Sequence, residues 1–210
     1  MRLYLIRHGR QCSKLCNVDV DLSEEGWRQA ALVGERLFPS KIDVVYSSDM
    51  VRAVQTAEAA NLYWNVEHII RPELREICFG ELEGMSDEAI EEKYGYVKRE
   101  MDRMEEDVPY PGGECAADVA ARALPALKEI AVSGSKNAAV VTHGGVIRSV
   151  LACILGMNPA KSRLIGNGIE NGSITELLYE PEKDRFTLLR LNDYAHLEKY
   201  PELLRESWID

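Results

Sequence analysis

At 210 residues, 46% hydrophobic and 29% charged, the chain carries enough apolar material for a sizeable core, which argues against extended disorder. Its formal net charge of −10 gives it no general footprint for nucleic acid, so an anionic ligand would require a local cationic pocket. No apolar run approaches the ~18 residues of a membrane span, Arg7 interrupts the N-terminal apolar run too early for a secretory signal, and five cysteines without a framework pattern read as free thiols of a cytoplasmic protein.

In chain order, residues 3–6 form a short apolar run, the pattern of a buried strand. A polar loop follows to Asp21, and Ser23 then caps a helix with Glu24 and Glu25 in its first turn. Trp27, Ala30, Ala31, Gly34 and Leu37 share one expected face of it. Residues 42–46 read as a second strand, and Ser47 and Ser48 as caps of a helix reaching about Leu62, with Ser48 the expected N-cap. A third strand is expected over 66–70, then a loop over 71–84 broken by Pro72, Gly80 and Gly84. Residues 85–107 are acidic and helical in character, and Pro109, Pro111, Gly112 and Gly113 close that stretch. A helix over 116–132 places Val119, Ala120, Ala123, Leu127 and Ile130 on one face, and Pro125 is expected to kink or restart it. A fourth strand over 138–141 leads into a helix from about Gly145 to Gly156, and strands over 174–179 and 186–191 complete the sheet. Strands alternating with helices predict a three-layer α/β/α sandwich around a mostly parallel sheet. The chain is expected to be a single domain, residues 1–210, with residues 85–111 as a small helical cap insertion.

Two of the four histidines share one context. Arg7-His8-Gly9 follows Leu5-Ile6, and Thr142-His143-Gly144-Gly145 follows Val140-Val141. Each histidine thus falls at the C-terminal end of an expected strand, the edge where open α/β sheets bind ligands. The glycines allow backbone to approach a ligand closely, and His143 opens a helix whose free N–H groups favour an anion. The same pattern also fits two histidines that merely terminate strands. Arg52 tips the balance, because a cation in a first helical turn opposes the helix dipole at a cost of roughly 0.3–1 kcal/mol. It is either an exposed side chain reaching Asp49 or a ligand for an anion, and with Arg7 it could fork onto a phosphate.

Arg7-His8-Gly9 at the end of the first strand resembles the signature of the histidine phosphatase superfamily, which includes cofactor-dependent phosphoglycerate mutases. Leu22-Ser23-Glu24-Glu25-Gly26 is similar to that family's first helix start, and the stretch Ser47-Ser48-Asp49-Met50-Val51-Arg52-Ala53-Val54-Gln55-Thr56-Ala57 to its second motif. Leu74-Arg75-Glu76 with Gly80, Glu83 and Gly84 resembles its acidic loop, and Pro111-Gly112-Gly113-Glu114 and Thr142-His143-Gly144-Gly145 complete the order. Arg10 and Gln11 depart from the usual acidic and hydroxyl residues, Leu82 replaces a common aromatic, and the loop from His8 to Leu22 is short.

The resemblance implies two in-line phosphoryl transfers through a phosphohistidine on His8, with no metal and no cofactor. Arg7, Arg52, His143 and Asn17 would bind the phosphate, His143 also serving catalysis, and Glu76 would protonate the leaving alkoxide and then activate water. Glu73, Glu81 and Glu83 are alternatives by composition. His68 reads as structural, while His196 resembles a C-terminal element of some family phosphatases that could approach the site. The expected substrate is a small phosphorylated metabolite, for a monomer or homodimer that binds neither nucleic acid nor membrane. The short acidic segment 85–111 lacks the longer tryptophan- and proline-rich insertion of the mutases, which favours a phosphomonoesterase. A phosphoglycerate mutase and a phospho-ligand-binding module without catalysis stand as alternatives.

Overall fold

The computed structural model describes residues 1–166 and 168–205. Six strands form one sheet: β1 (Arg2–Arg7), β2 (Val44–Ser47), β3 (Glu67–Ile70), β4 (Asn137–Thr142), β5 (Ile174–Glu180) and β6 (Arg185–Asp193). Their order is β3-β2-β4-β1-β5-β6. β1 to β4 are mutually parallel, and β5 and β6 run antiparallel on one side. Among the described residues five α-helices accompany them: α1 (Glu24–Leu37), α2 (Val51–Asn61), α3 (Asp87–Arg103), α4 (Ala116–Ala131) and α5 (Gly144–Ile154).

Alternation along β1 sorts its side chains between two cores. Leu3 and Leu5 join Val119, Leu127, Val146, Ile147 and Val150 of α4 and α5 on one face. Tyr4 and Ile6 meet Val33 and Leu37 of α1 and Ala53, Ala57 and Ala60 of α2 on the other. The alanine face of α2 lets that helix lie close on the sheet. The result is the expected three-layer α/β/α sandwich with a mostly parallel sheet.

Three local expectations need correction. α1 buries Gly26, Gln29, Ala30, Val33, Gly34 and Leu37, so its inward face is rotated away from Trp27, which is 42% exposed. Gln29 is buried with its amide paired at both ends, accepting from Arg10 N at 2.8 Å and donating to the Leu203 carbonyl at 2.7 Å. α2 is not capped by Ser48: Met50 is its N-cap residue and offers no side-chain bond. The Asp19 carboxylate accepts from Val51 N at 2.8 Å instead, so a loop distant in sequence supplies the cap. α4 runs unbroken through Pro125. The carbonyl that loses its helical partner belongs to Ala121, which is exposed and can be served by water, while Ala123, Ala126 and Leu127 hold the helix to the core.

α3 sits over the C-terminal edge of the sheet region with an apolar cluster of its own, Leu82, Tyr94, Val97 and Met101. Ser86 caps its start by accepting from Ala89 N, and Tyr94 Oη donates to Glu81 at 2.7 Å.

Candidate active site

β1 and β4 are neighbours in register, Arg7 opposite Thr142, so the residues after them emerge side by side. His8 N donates to the Thr142 carbonyl at 2.9 Å, and the His8 and His143 rings lie 5.0 Å apart between centroids. β2 ends in the same edge and delivers Arg52 through the first turn of α2. Arg7, His8, Arg52, Asn17 and Glu76 line one open cavity there.

His8 is held as one tautomer. Its Nδ1 lies 2.7 Å from the Gly9 carbonyl, which can only accept, so Nδ1 carries the proton and Nε2 keeps its lone pair. Arg52 Nε donates to that Nε2 at 3.2 Å, and Asn171 Nδ2 fixes the backbone by donating to the His8 carbonyl at 2.9 Å. Burial first, then the charges of Arg52 and Arg7, hold the His8 pKa well below its ordinary value, so the imidazole is neutral at neutral pH. Gly9 is required next to it, because a Cβ there would stand 2.5 Å from the Gly26 carbonyl at the start of α1.

Arg52 does not reach Asp49, which pairs with Arg75 at 2.7 Å. Its guanidinium instead donates to Asn17 Oδ1 at 2.7 Å and to the Val18 carbonyl at 3.0 Å, with Nε on His8. Asn17 is therefore placed against Arg52, and its own amide donates to Glu83 at 2.9 Å. Arg7 donates one N–H to the Ile169 carbonyl, and its buried Nε has no partner among the described residues. Burial pushes its pKa down to about 9, and it remains charged at neutral pH.

His143 is wholly buried and lines neither cavity beside the site. Ser48 Oγ stands 2.7 Å from its Nε2, and Met50 N donates to the same hydroxyl at 3.4 Å. The hydroxyl proton is thus free to point at Nε2, which leaves Nδ1 protonated, and that Nδ1 is buried without a partner among the described residues. Burial, followed by the neighbouring His8 and the arginines, keeps the His143 pKa well below its ordinary value.

Glu76 comes from the loop after β3. Its Oε1 accepts from Ile77 N at 2.9 Å and from Gly145 N at 3.0 Å, while Oε2 has only a longer 3.4 Å contact with Gly145 N. A Cβ on Gly145 would collide with this carboxylate, so the second glycine after His143 makes room for Glu76. The loop is clasped by Arg122 of α4, which donates to the carbonyls of Glu73 at 2.7 Å, Arg75 at 2.9 Å and Glu76 at 3.0 Å. Its remaining N–H groups pair with both Glu114 oxygens at 2.8 Å, and Glu114 also accepts from Cys78 N.

Of the other candidates, Glu83 is engaged with Asn17 and with Phe79 N, Glu81 with Tyr94, and Glu73 with Arg71. His68 Nε2 lies 2.8 Å from Ser47 Oγ. His196 donates to the Gly172 carbonyl at 3.1 Å and, like His143, lines neither cavity. Arg10 and Gln11 line the cavity wall. Sequence reasoning missed Ser48 as the partner of His143, although the serine stands inside a quoted motif. It also missed Asn171 and Arg122, which carry no local signal because each acts on residues more than forty positions away.

A buried neutral imidazole, two arginines and a carboxylate on one cavity make an arrangement suited to phosphoryl transfer. The profile of the histidine phosphatase superfamily (branch 1) matches residues 3–194, and the chain belongs to that family. It is 32% identical over 213 residues to phosphoserine phosphatase 1 of Hydrogenobacter thermophilus, covering 95% of this chain and 96% of the relative. It is 33% identical over 161 residues to the 2,3-bisphosphoglycerate-dependent phosphoglycerate mutase of Rhizobium etli, covering 70% and 77%. A mycobacterial glucosyl-3-phosphoglycerate phosphatase solved with inorganic phosphate superposes with a TM-score of 0.82 at 28% identity, over 93% of this chain and 98% of that one.

Proposed function

We propose that the chain is a phosphomonoesterase that hydrolyses small phosphorylated metabolites through a phosphohistidine on His8, needing neither metal nor cofactor. The observation that carries this reading is the presentation of His8: Nδ1 anchored on Gly9, Nε2 bare of a proton, and Arg52 at 3.2 Å. Phosphatases of the same family support the reaction class.

His8 Nε2 attacks phosphorus in line as the ester oxygen departs. Arg7, Arg52 and the unpaired His143 Nδ1 supply the donors for the equatorial oxygens, where charge collects in the transition state. Asn17 holds Arg52 and adds its amide to the same wall. Oε2 of Glu76 gives its proton to the leaving alkoxide, then removes one from the water that attacks the phosphohistidine. Phosphate leaves and His8 regains its lone pair. The positive charge that a metal would bring comes here from guanidinium groups.

The test is rapid quenching with a radiolabelled ester. Wild type should trap label that is lost in acid and kept in alkali, the profile of a phosphoramidate, and His8→Ala should trap none. Label at the normal rate in His8→Ala would remove His8 as nucleophile. Turnover should persist after EDTA treatment. Conversion of 3- to 2-phosphoglycerate should be negligible beside phosphate release; efficient, primer-dependent isomerisation would favour the mutase reading that the Rhizobium etli relative suggests. Five free thiols fit a reducing cytoplasm.

A further inference from the structure

The C-terminal element that carries His196 reaches the site through another of its residues, Asn192, which lies on the wall of the His8 cavity. The connection runs through residues 169–173, a stretch without helix or strand that bonds Arg7 and His8 repeatedly. The Ile169 carbonyl accepts from the Arg7 guanidinium, and Asn171 Nδ2 donates to the His8 carbonyl at 2.9 Å. Gly172 N donates to the Arg7 carbonyl at 3.0 Å, and Arg7 N to the Ser173 carbonyl at 3.1 Å. The aim of the Arg7 side chain therefore depends on where this stretch lies.

Asn192 grips that stretch. Its Oδ1 accepts from Glu170 N at 2.7 Å, and its Nδ2 makes a longer bond to the Gly168 carbonyl, at 3.4 Å. The Glu170 N–H and the Ile169 C=O belong to one peptide unit, whose planar trans geometry points them in opposite directions. Asn192, that peptide and Arg7 thus form one hydrogen-bonded line, in which each bond polarises the next. The backbone of Asn192 is shaped for this contact. The register of β5 on β6 shifts between Ile174 and Glu176, the kind of irregularity that re-aims a side chain beside a site. Close to it Asn192 takes a φ of 51°, a left-handed conformation that asparagine adopts more readily than most residues. Its N–H donates to the buried Thr175 hydroxyl at 3.2 Å. An amide is also the side chain that accepts and donates at once, as the two bonds to this turn require. Further along the same element, His196 donates to the Gly172 carbonyl at 3.1 Å and Leu197 stands against Gly172.

We propose that Asn192 is a positioning residue for phosphoryl transfer, aiming the Arg7 guanidinium at the phosphoryl group through the Ile169–Glu170 peptide. This rests on the phosphomonoesterase reading, in which Arg7 donates to the equatorial oxygens. Asn192 acts in this role through Arg7 and not on the leaving group. Its loss costs the transition state the geometry of one donor, whatever alcohol departs. That separates it from Glu76, whose value depends on the ester, and from a direct contact between Asn192 and the alcohol portion of the substrate.

Asn192→Gly removes both side-chain bonds and keeps the left-handed backbone accessible. kcat/KM for an alkyl phosphate and for p-nitrophenyl phosphate should fall together by about tenfold or more, part of what losing a whole transition-state donor costs. Affinity for vanadate, which takes the five-coordinate shape of the transfer, should fall in step. In Arg7→Gln protein the same change should cost less than about twofold, because its effect passes through Arg7. Asn192→Asp still accepts from Glu170 N and should recover part of the loss. Urea unfolding of each variant gives the folded fraction. A role confined to stability would lower the urea midpoint and leave kcat/KM per folded protein and vanadate affinity unchanged. That result would overturn the proposal, as would a loss on one ester alone, equal losses with and without the Arg7 guanidinium, or no recovery in Asn192→Asp. Phosphate release indifferent to Asn192→Gly would remove Asn192 and leave the phosphatase reading standing. Vanadate affinity that follows Asn192 through Arg7, in a protein that releases phosphate from no ester, would keep the positioning role and sink the phosphatase reading.

Discussion

His8 has one ring nitrogen committed to Gly9 and the other accepting from Arg52 Nε, and the Arg52 charge lowers its basicity. The cost of a cation in the first turn of α2 is offset by three polar partners, none of which is the adjacent Asp49. Glu76 is the residue whose chemistry is most open to test. A proton matters for an alkyl alkoxide and hardly at all for p-nitrophenolate. Glu76→Gln should therefore slow phosphorylation of His8 by alkyl phosphates about 10²–10⁴-fold, the usual range of general acid catalysis, and by p-nitrophenyl phosphate far less. Because the second step then lacks a base, phosphoenzyme should accumulate from the activated ester. Pre-steady-state bursts measure both steps; equal first-step losses without accumulation would move the acid to Glu73, Glu81 or Glu83.

At the scale of elements, α4 grips the loop that carries Glu76, which has little regular structure of its own. Arg122 holds three successive carbonyl regions of that loop and a bidentate Glu114, and Thr142 Oγ1 adds a bond to the Leu74 carbonyl at 2.8 Å. Arg122→Gln should thus act through the position of Glu76. We expect kcat for alkyl phosphates to fall about tenfold or more, KM to change little, and p-nitrophenyl phosphate to be relatively spared. Arg122→Lys should restore only part, since an ammonium lacks the planar fork. A uniform loss on both esters, tracking a loss of folded protein, would reduce Arg122 to a stabilising role. Gly145→Ala tests the same contact from α5: displacement of Glu76 should reproduce the ester dependence without touching α4.

For the whole molecule, the charge balance is uneven: a chain of net charge −10 gathers Arg7, Arg52, Arg148 and Arg163 around two adjoining cavities. It also buries histidines in their neutral form, which sets how stability responds to acid. Burial holds the His196 pKa down at about 4, against an ordinary value near 6.5. Between those values the unfolded chain binds a proton that the folded chain refuses, so stability falls as pH drops from about 6.5 and levels off for this group below about 4. At about 1.4 kcal/mol per pH unit the effect is roughly 3 kcal/mol, with His8 and His143 contributing in the same direction. Urea unfolding between pH 7 and 4 should show a shallower loss for His196→Gln, whose amide can still donate to Gly172. Superimposable profiles for the two proteins would refute this account.

Strand and helix positions were legible because burial on one or both faces writes its period into the chain, and Leu3 to Ile6, Val140-Val141 and Ser23 are read directly. The two histidines at the sheet edge were legible for the same reason, since each directly follows a strand, and parallel strands must end on a common edge. The face of α1 was misjudged because a buried glutamine looks polar until its partners at Arg10 and Leu203 are known. The cap of α2 was misplaced because Asp19, more than thirty residues away, outcompetes the local serine, freeing Ser48 to orient His143. Pro125 was expected to kink or restart its helix, and no restart occurs, because Ala121, whose carbonyl loses its partner, is exposed. The chain itself therefore determined the order of elements and the common edge on which His8, His143 and Arg52 gather, all properties of local period and adjacency. Tertiary structure alone decided the tautomers and the clasp on Glu76, because hydrogen-bond partners are chosen by proximity in space, which sequence distance does not record.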